Sequence, residues 1–85
     1  MASDDNIRPT GKPVYFVIDG RPFHTTGLRQ TAAAILRLAD LDPSLYDLGE
    51  LEGYRPEPVR FAADELVEIR RGARFVSIRR RADFA

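Results

Sequence analysis

The side chains able to do chemistry in this chain are few and scattered. His24 is the only histidine, and there is no cysteine. A general base must lie within hydrogen-bond reach of the group it activates. No serine or cysteine is near His24 in sequence, so it reads as a surface histidine. Metal binding needs three or four converging ligands, and one histidine with dispersed carboxylates does not supply them. Asp64, Glu65 and Glu68 stand close together, but around a turn signal, where carboxylates solvate the chain. The glycines read as turn residues rather than as a phosphate-cradling loop. The expectation is a protein with no catalytic residues, no metal and no cofactor.

Charge offers more. Thirteen Lys and Arg balance thirteen Asp and Glu, yet the two signs separate along the chain. Asp40, Asp42, Asp47, Glu50, Glu52 and Glu57 face Arg55 alone within residues 40–57. Residues 70–81 carry Arg70, Arg71, Arg74, Arg79, Arg80 and Arg81 without an acid. Such a division steers different partners to different places, or simply keeps two faces solvated. The arginines with Phe75 among them could grip phosphates. A net charge of zero lacks the positive excess of a nucleic-acid binder, so no nucleic acid is expected. No apolar run approaches the roughly 18 residues of a membrane span. The polar, acidic start Met1–Asn6 does not read as a secretory leader. Without cysteine there are no disulfides, and a cytoplasmic protein is the expectation.

The elements that must position these residues follow from the pattern. Eighty-five residues make one domain, read as residues 14–79 between flexible tails at 1–13 and 80–85. Val14–Ile18 is β-branched or aromatic throughout and reads as a strand. Asp19-Gly20 supplies the positive φ angles of a tight hairpin turn. Arg21–Thr26 is the return strand, and Pro22 marks it as an edge. After Gly27, Thr31 is a helix N-cap. Ala32, Ile35, Leu36 and Ala39 follow at helical spacing, and Leu38 and Leu41 widen that stripe. Asp42-Pro43 is the expected stop. Leu45–Leu51 reads as a third strand and Val59–Phe61 as a short fourth. Val67 and Ile69 share the apolar face of another extended stretch. Phe75–Ile78 is the last strand, expected parallel to the first by a right-handed crossover. The fold class is α+β. The order points to a ubiquitin-like β-grasp, a mixed sheet with one helix packed across it.

From Tyr15 to Ile78, about three quarters of the chain, the sequence resembles the bacterial multiubiquitin domain. The matching pieces are F-V-I-D-G-R-P-F at 16–23, A-x-x-L-x-L-A-x-L-D-P at 33–43 and Y-D-L at 46–48. The last is D-E-L-V-E-I-R-R-G with an aromatic at 64–75. The resemblance implies a ubiquitin-like modifier with three partners: an activating enzyme, a conjugating enzyme and a processing peptidase. It places the conjugation tail at Arg79, Arg80, Arg81, Ala82, Asp83, Phe84 and Ala85. Ubiquitin's tail ends in two glycines, and this one does not. Three routes stay open. A peptidase removes Asp83-Phe84-Ala85 and exposes Ala82, the pathway accepts Ala85, or conjugation has been lost.

Lys12 is the only lysine. It is therefore the one side chain through which lysine-linked chains could form, unless arginine merely replaces lysine throughout. The resemblance also implies an interaction face on the exposed side of the sheet, drawing on Tyr46, Leu48, Phe75 or Ser77. A register slip of one residue inverts which of them point outward, and Leu48 and Phe75 read equally well as core. The second functional reading is a non-conjugated β-grasp adaptor that self-associates or binds a partner. There the Pro22 edge and the Phe75–Ile78 strand would matter more than the tail.

Overall fold

A computed structural model describes residues 12–80. Most of both expected tails, residues 1–11 and 81–85, lies outside them. The elements in chain order are β1 (Val14–Ile18), β2 (Arg21–Thr25), β3 (Arg29–Thr31), α1 (Ala32–Leu38), β4 (Tyr46–Leu51), β5 (Val59–Phe61), β6 (Leu66–Glu68) and β7 (Arg74–Arg79).

Five strands form a mixed sheet in the order β2-β1-β7-β4-β5. β1 and β7 run parallel, with Val17 opposite Arg74 and Ile18 opposite Phe75. The β1–β2, β4–β7 and β4–β5 pairs are antiparallel. The hairpin closes on Asp19 (φ 52°) and Gly20 (φ 80°), the two positive angles that let the turn twist with its strands. Asp19 also works across the sheet. Its carboxylate accepts from the Ser77 N–H at 2.9 Å and from the Ser77 hydroxyl at 2.7 Å. The turn is thereby tied to the central strand, 58 residues away in sequence.

Thr31 caps α1 as expected, its hydroxyl accepting from the Ala34 N–H at 3.1 Å. The helix stops earlier than Asp42-Pro43. Asp40 takes a left-handed conformation (φ 62°). The Leu41 N–H then reaches the Leu36 carbonyl, and the Asp40 N–H reaches the Arg37 carbonyl, both at 3.0 Å. These paired bonds satisfy carbonyls left open at a helix C-terminus, and the half-buried Leu41 packs beneath them. Leu38 does not widen the apolar stripe, because it is exposed.

β3 was not expected. It pairs antiparallel with β6 in a separate two-stranded sheet. The extended stretch around Val67 and Ile69 therefore exists, but outside the main sheet. One core holds both sheets together. Phe16, Ile18, Leu48 and Phe75 face α1, which contributes Ala32, Ile35, Leu36 and Ala39; Val67, Ile69 and Ala73 close the end. Phe16 meets Phe75 edge-on at 5.8 Å between ring centroids. Such aromatic pairs add about 0.5–1.5 kcal/mol beyond the area they bury.

Candidate functional site

The last described residues of β7 are held rather than loose. Arg79 pairs with Tyr46 in the ladder, and its guanidinium lies 5.7 Å from the Tyr46 ring centroid. The Arg80 N–H donates to the Leu45 carbonyl at 2.8 Å, continuing the ladder one step past β7. The Arg80 Nε donates to Asp47 Oδ1 at 3.0 Å, and Arg60 donates to Asp47 Oδ2 at 3.1 Å. Two of the seven expected tail residues are thus in or against the sheet. The physical reason is β4: its Tyr46 and Asp47 supply a ring and a carboxylate to the arginines beside them. Arg81, Ala82, Asp83, Phe84 and Ala85 lie outside the described residues.

The register decides the interaction face, because successive side chains of a strand alternate sides. Leu48 (0% exposed) and Phe75 (1%) point at α1 and are core. Neither can serve on an exposed face. Tyr46 lies on the same side, packed against the core. Ser77 sits opposite Leu48 and spends its hydroxyl on Asp19. The side turned away from the helix carries the other residues of these strands: Val17, Arg74, Val76, Ile78, Asp47, Gly49 and Leu51.

That outer face has its own thin apolar layer. Val17, Leu51, Pro58, Val76 and Ile78 are half-buried there. Gly49 lies beneath them, buried within β4. A Cβ at Gly49 would stand 2.9 Å from Ile78 Cδ1, 3.0 Å from Pro58 Cβ and 3.4 Å from Val76 Cγ2. The glycine is therefore no turn residue; it makes room for side chains that close over the strand. Arg74, Arg60 and Arg80 rim this layer, the last two on Asp47.

His24 and Tyr15 occupy the same outer side toward the β2 edge, facing each other across the hairpin with ring centroids 5.4 Å apart. His24 is exposed, as expected of a surface histidine. Lys12 is exposed, two residues before β1. Between β4 and β6 a shallow cavity of about 190 Å³ is lined by Glu50, Glu52, Glu68 and Arg70 over Phe61 and Val67. Burial pushes the Glu50 carboxyl above its ordinary range; Glu52 adds to this and Arg70 opposes it. Among the described residues no cluster of acids and histidine is arranged to hold a metal ion.

The β2 edge is guarded. In a two-residue hairpin the pair flanking the turn, Ile18 and Arg21, exchanges both ladder bonds. The next pair, Val17 and Pro22, points its backbone donors away from the hairpin. The Val17 N–H goes to the Ala73 carbonyl at 3.0 Å. Pro22 has no N–H at the equivalent place on the open edge, so an incoming strand loses a donor there.

Asp47 and Gly49 are the residues that sequence reasoning passed over. Asp47 stood out only as one of six acids in a run. Gly49 did carry a signal, since a glycine inside a strand pattern marks a close approach. No family model, curated protein or solved structure matches this chain. Among the described residues no helix is long and apolar enough to cross a membrane.

Proposed function

We propose that this chain is a ubiquitin-like modifier with a β-grasp fold. It does no chemistry itself; an activating enzyme adenylates its carboxyl end, and a conjugating enzyme passes it to a target or to another copy. The observation that carries this reading is the central place of β7, parallel to β1 and antiparallel to β4. That mixed sheet, with one helix across it, supports the β-grasp reading. It brings the chain as far as Arg80 along the middle strand of the sheet. Arg79 and Arg80 are held there by Tyr46, Leu45 and Asp47, so the part threaded into an enzyme would begin beyond them. The outer layer of Val17, Leu51, Val76 and Ile78 would then be the surface that pathway enzymes read, in place of Leu48 and Phe75.

The adaptor reading is weaker on one specific ground. Self-association through the hairpin edge needs backbone donors, and Pro22 removes one from the exposed side of β2. The test is activation with ATP by the adenylating enzyme that this reading requires. Full-length protein and a form ending at Ala82 are assayed separately for the adenylate and the enzyme thioester. Either product supports the modifier. Absence of both from both forms ends it. Appearance with the Ala82 form alone identifies a peptidase as an obligatory partner.

A further inference from the structure

We infer that Asp47 is a positioning residue that holds the chain at Arg80 against β4. Its two carboxylate oxygens are divided between two arginines, Oδ1 accepting from Arg80 and Oδ2 from Arg60. Asp47 is the anchored member of the group. It sits within β4 opposite Ile78, and its side chain is 22% exposed, against 43% for Arg80 and 59% for Arg60. A lone exposed ion pair contributes little, because two long side chains must be ordered to make it. Here one partner is already fixed by the central sheet. The same residue, Arg80, is also bonded through its backbone N–H to the Leu45 carbonyl. Side chain and main chain thus close on one point, and Arg79 adds its contact with Tyr46 one residue earlier.

The consequence, which rests on the modifier reading, is that an enzyme must work on chain beyond residue 80 or peel Arg80 from Asp47. Asp47 then governs how readily the segment is presented, without touching the reacting carboxylate.

The test uses the full chain and needs no enzyme of the pathway. Amide exchange at Arg80 and tryptic cutting after Arg80 are measured in wild type and Asp47→Asn. Both rates are expected to rise about fivefold, the scale of a favourable exposed pair. The Val17 amide, bonded to Ala73 in the β1–β7 ladder, and cutting after Arg71 in the preceding turn are expected to stay unchanged. Asp47→Glu is expected to restore part of the protection. If Asp47→Asn fails to fold, Arg80→Gln breaks the same pair from the exposed side and leaves the Asp47–Arg60 contact in place. Its tryptic readout is then cutting after Arg79. An unchanged Arg80 amide overturns the inference. So does an equal rise at Val17, which would make Asp47 a general support of the sheet. Failure of activation with a protected Arg80 sinks the modifier and leaves the clasp; an unprotected Arg80 with normal activation does the reverse.

Discussion

Replacing Gly49 by alanine is the sharpest probe of the outer apolar layer. The residue sits inside β4 without a positive φ, so alanine meets no backbone strain. Shrinking the freedom of the unfolded chain even favours it, by about 0.4–1 kcal/mol. Against this stands the space. The new methyl group would lie 2.9 Å from Ile78 Cδ1 and 3.0 Å from Pro58 Cβ. Ile78 Cδ1 is the tip of a flexible side chain and can retreat. The Pro58 ring carbon cannot turn aside in the same way. Forcing a methyl group into a packed site costs about 1–3 kcal/mol, so the net expectation is a loss of about 1 kcal/mol. For a domain of this size that is a fall of about 4–8 °C in Tm. Urea unfolding at constant m checks it. A double-mutant cycle with Ile78→Val, which deletes Cδ1, then isolates the contact. The single change Ile78→Val is expected to cost about 0.5–1.5 kcal/mol. The double mutant should be more stable than additivity requires by at least about 0.5 kcal/mol. Rescue stays partial because Pro58 remains. A Gly49→Ala protein as stable as wild type, or a strictly additive cycle, would refute the claim that Ile78 and Pro58 close over this strand.

Three further outcomes follow from the same contacts. Asp19→Ala removes both bonds to Ser77 and leaves a non-glycine residue at φ 52°; a loss of about 2 kcal/mol is expected by denaturation. Glu50→Gln is expected to stabilise at neutral pH. The folded-state pKa of Glu50 is raised by burial and by Glu52. The folded protein therefore holds that proton more tightly than the unfolded chain, and wild-type stability falls as pH rises from the unfolded pKa through the folded one. The advantage of Gln at position 50 should be complete above that window and vanish below it, and pH-dependent melts that show no such convergence would discount the burial of Glu50. Pro22→Val restores an outward N–H on β2 and is expected to produce concentration-dependent association in light scattering. A variant that stays as dispersed as wild type would remove Pro22 from the account of the edge.

Local chemistry made much of this fold readable. Asp19-Gly20 defines the hairpin, Thr31 starts the helix, and the apolar spacing of Ala32, Ile35, Leu36 and Ala39 names its buried face. The parallel pairing of the first and last strands followed from topology rules rather than from any one residue. What escaped depends on partners remote in sequence. β3 is three residues long, too short for a periodic signal, and is a strand because β6 lies beside it. The helix stop at Asp40 needs a left-handed aspartate, which residue type permits but does not dictate. The outward side of β4 and β7 was the costliest gap. Leu48 and Phe75 are apolar at alternating positions, and only the pairing with β1 tells core from surface. The Asp47–Arg80 contact spans 33 residues, and no local pattern announces it.

The middle seat of β7 has a bearing on how the chain is made. The hairpin of β1 and β2 and the antiparallel pair of β4 and β5 are not neighbours in the sheet; each leans on β7. Until Phe75 arrives, Phe16 and Leu48 belong to two halves of an open structure. A nascent chain stalled on the ribosome before that strand emerges would display apolar surface from both halves.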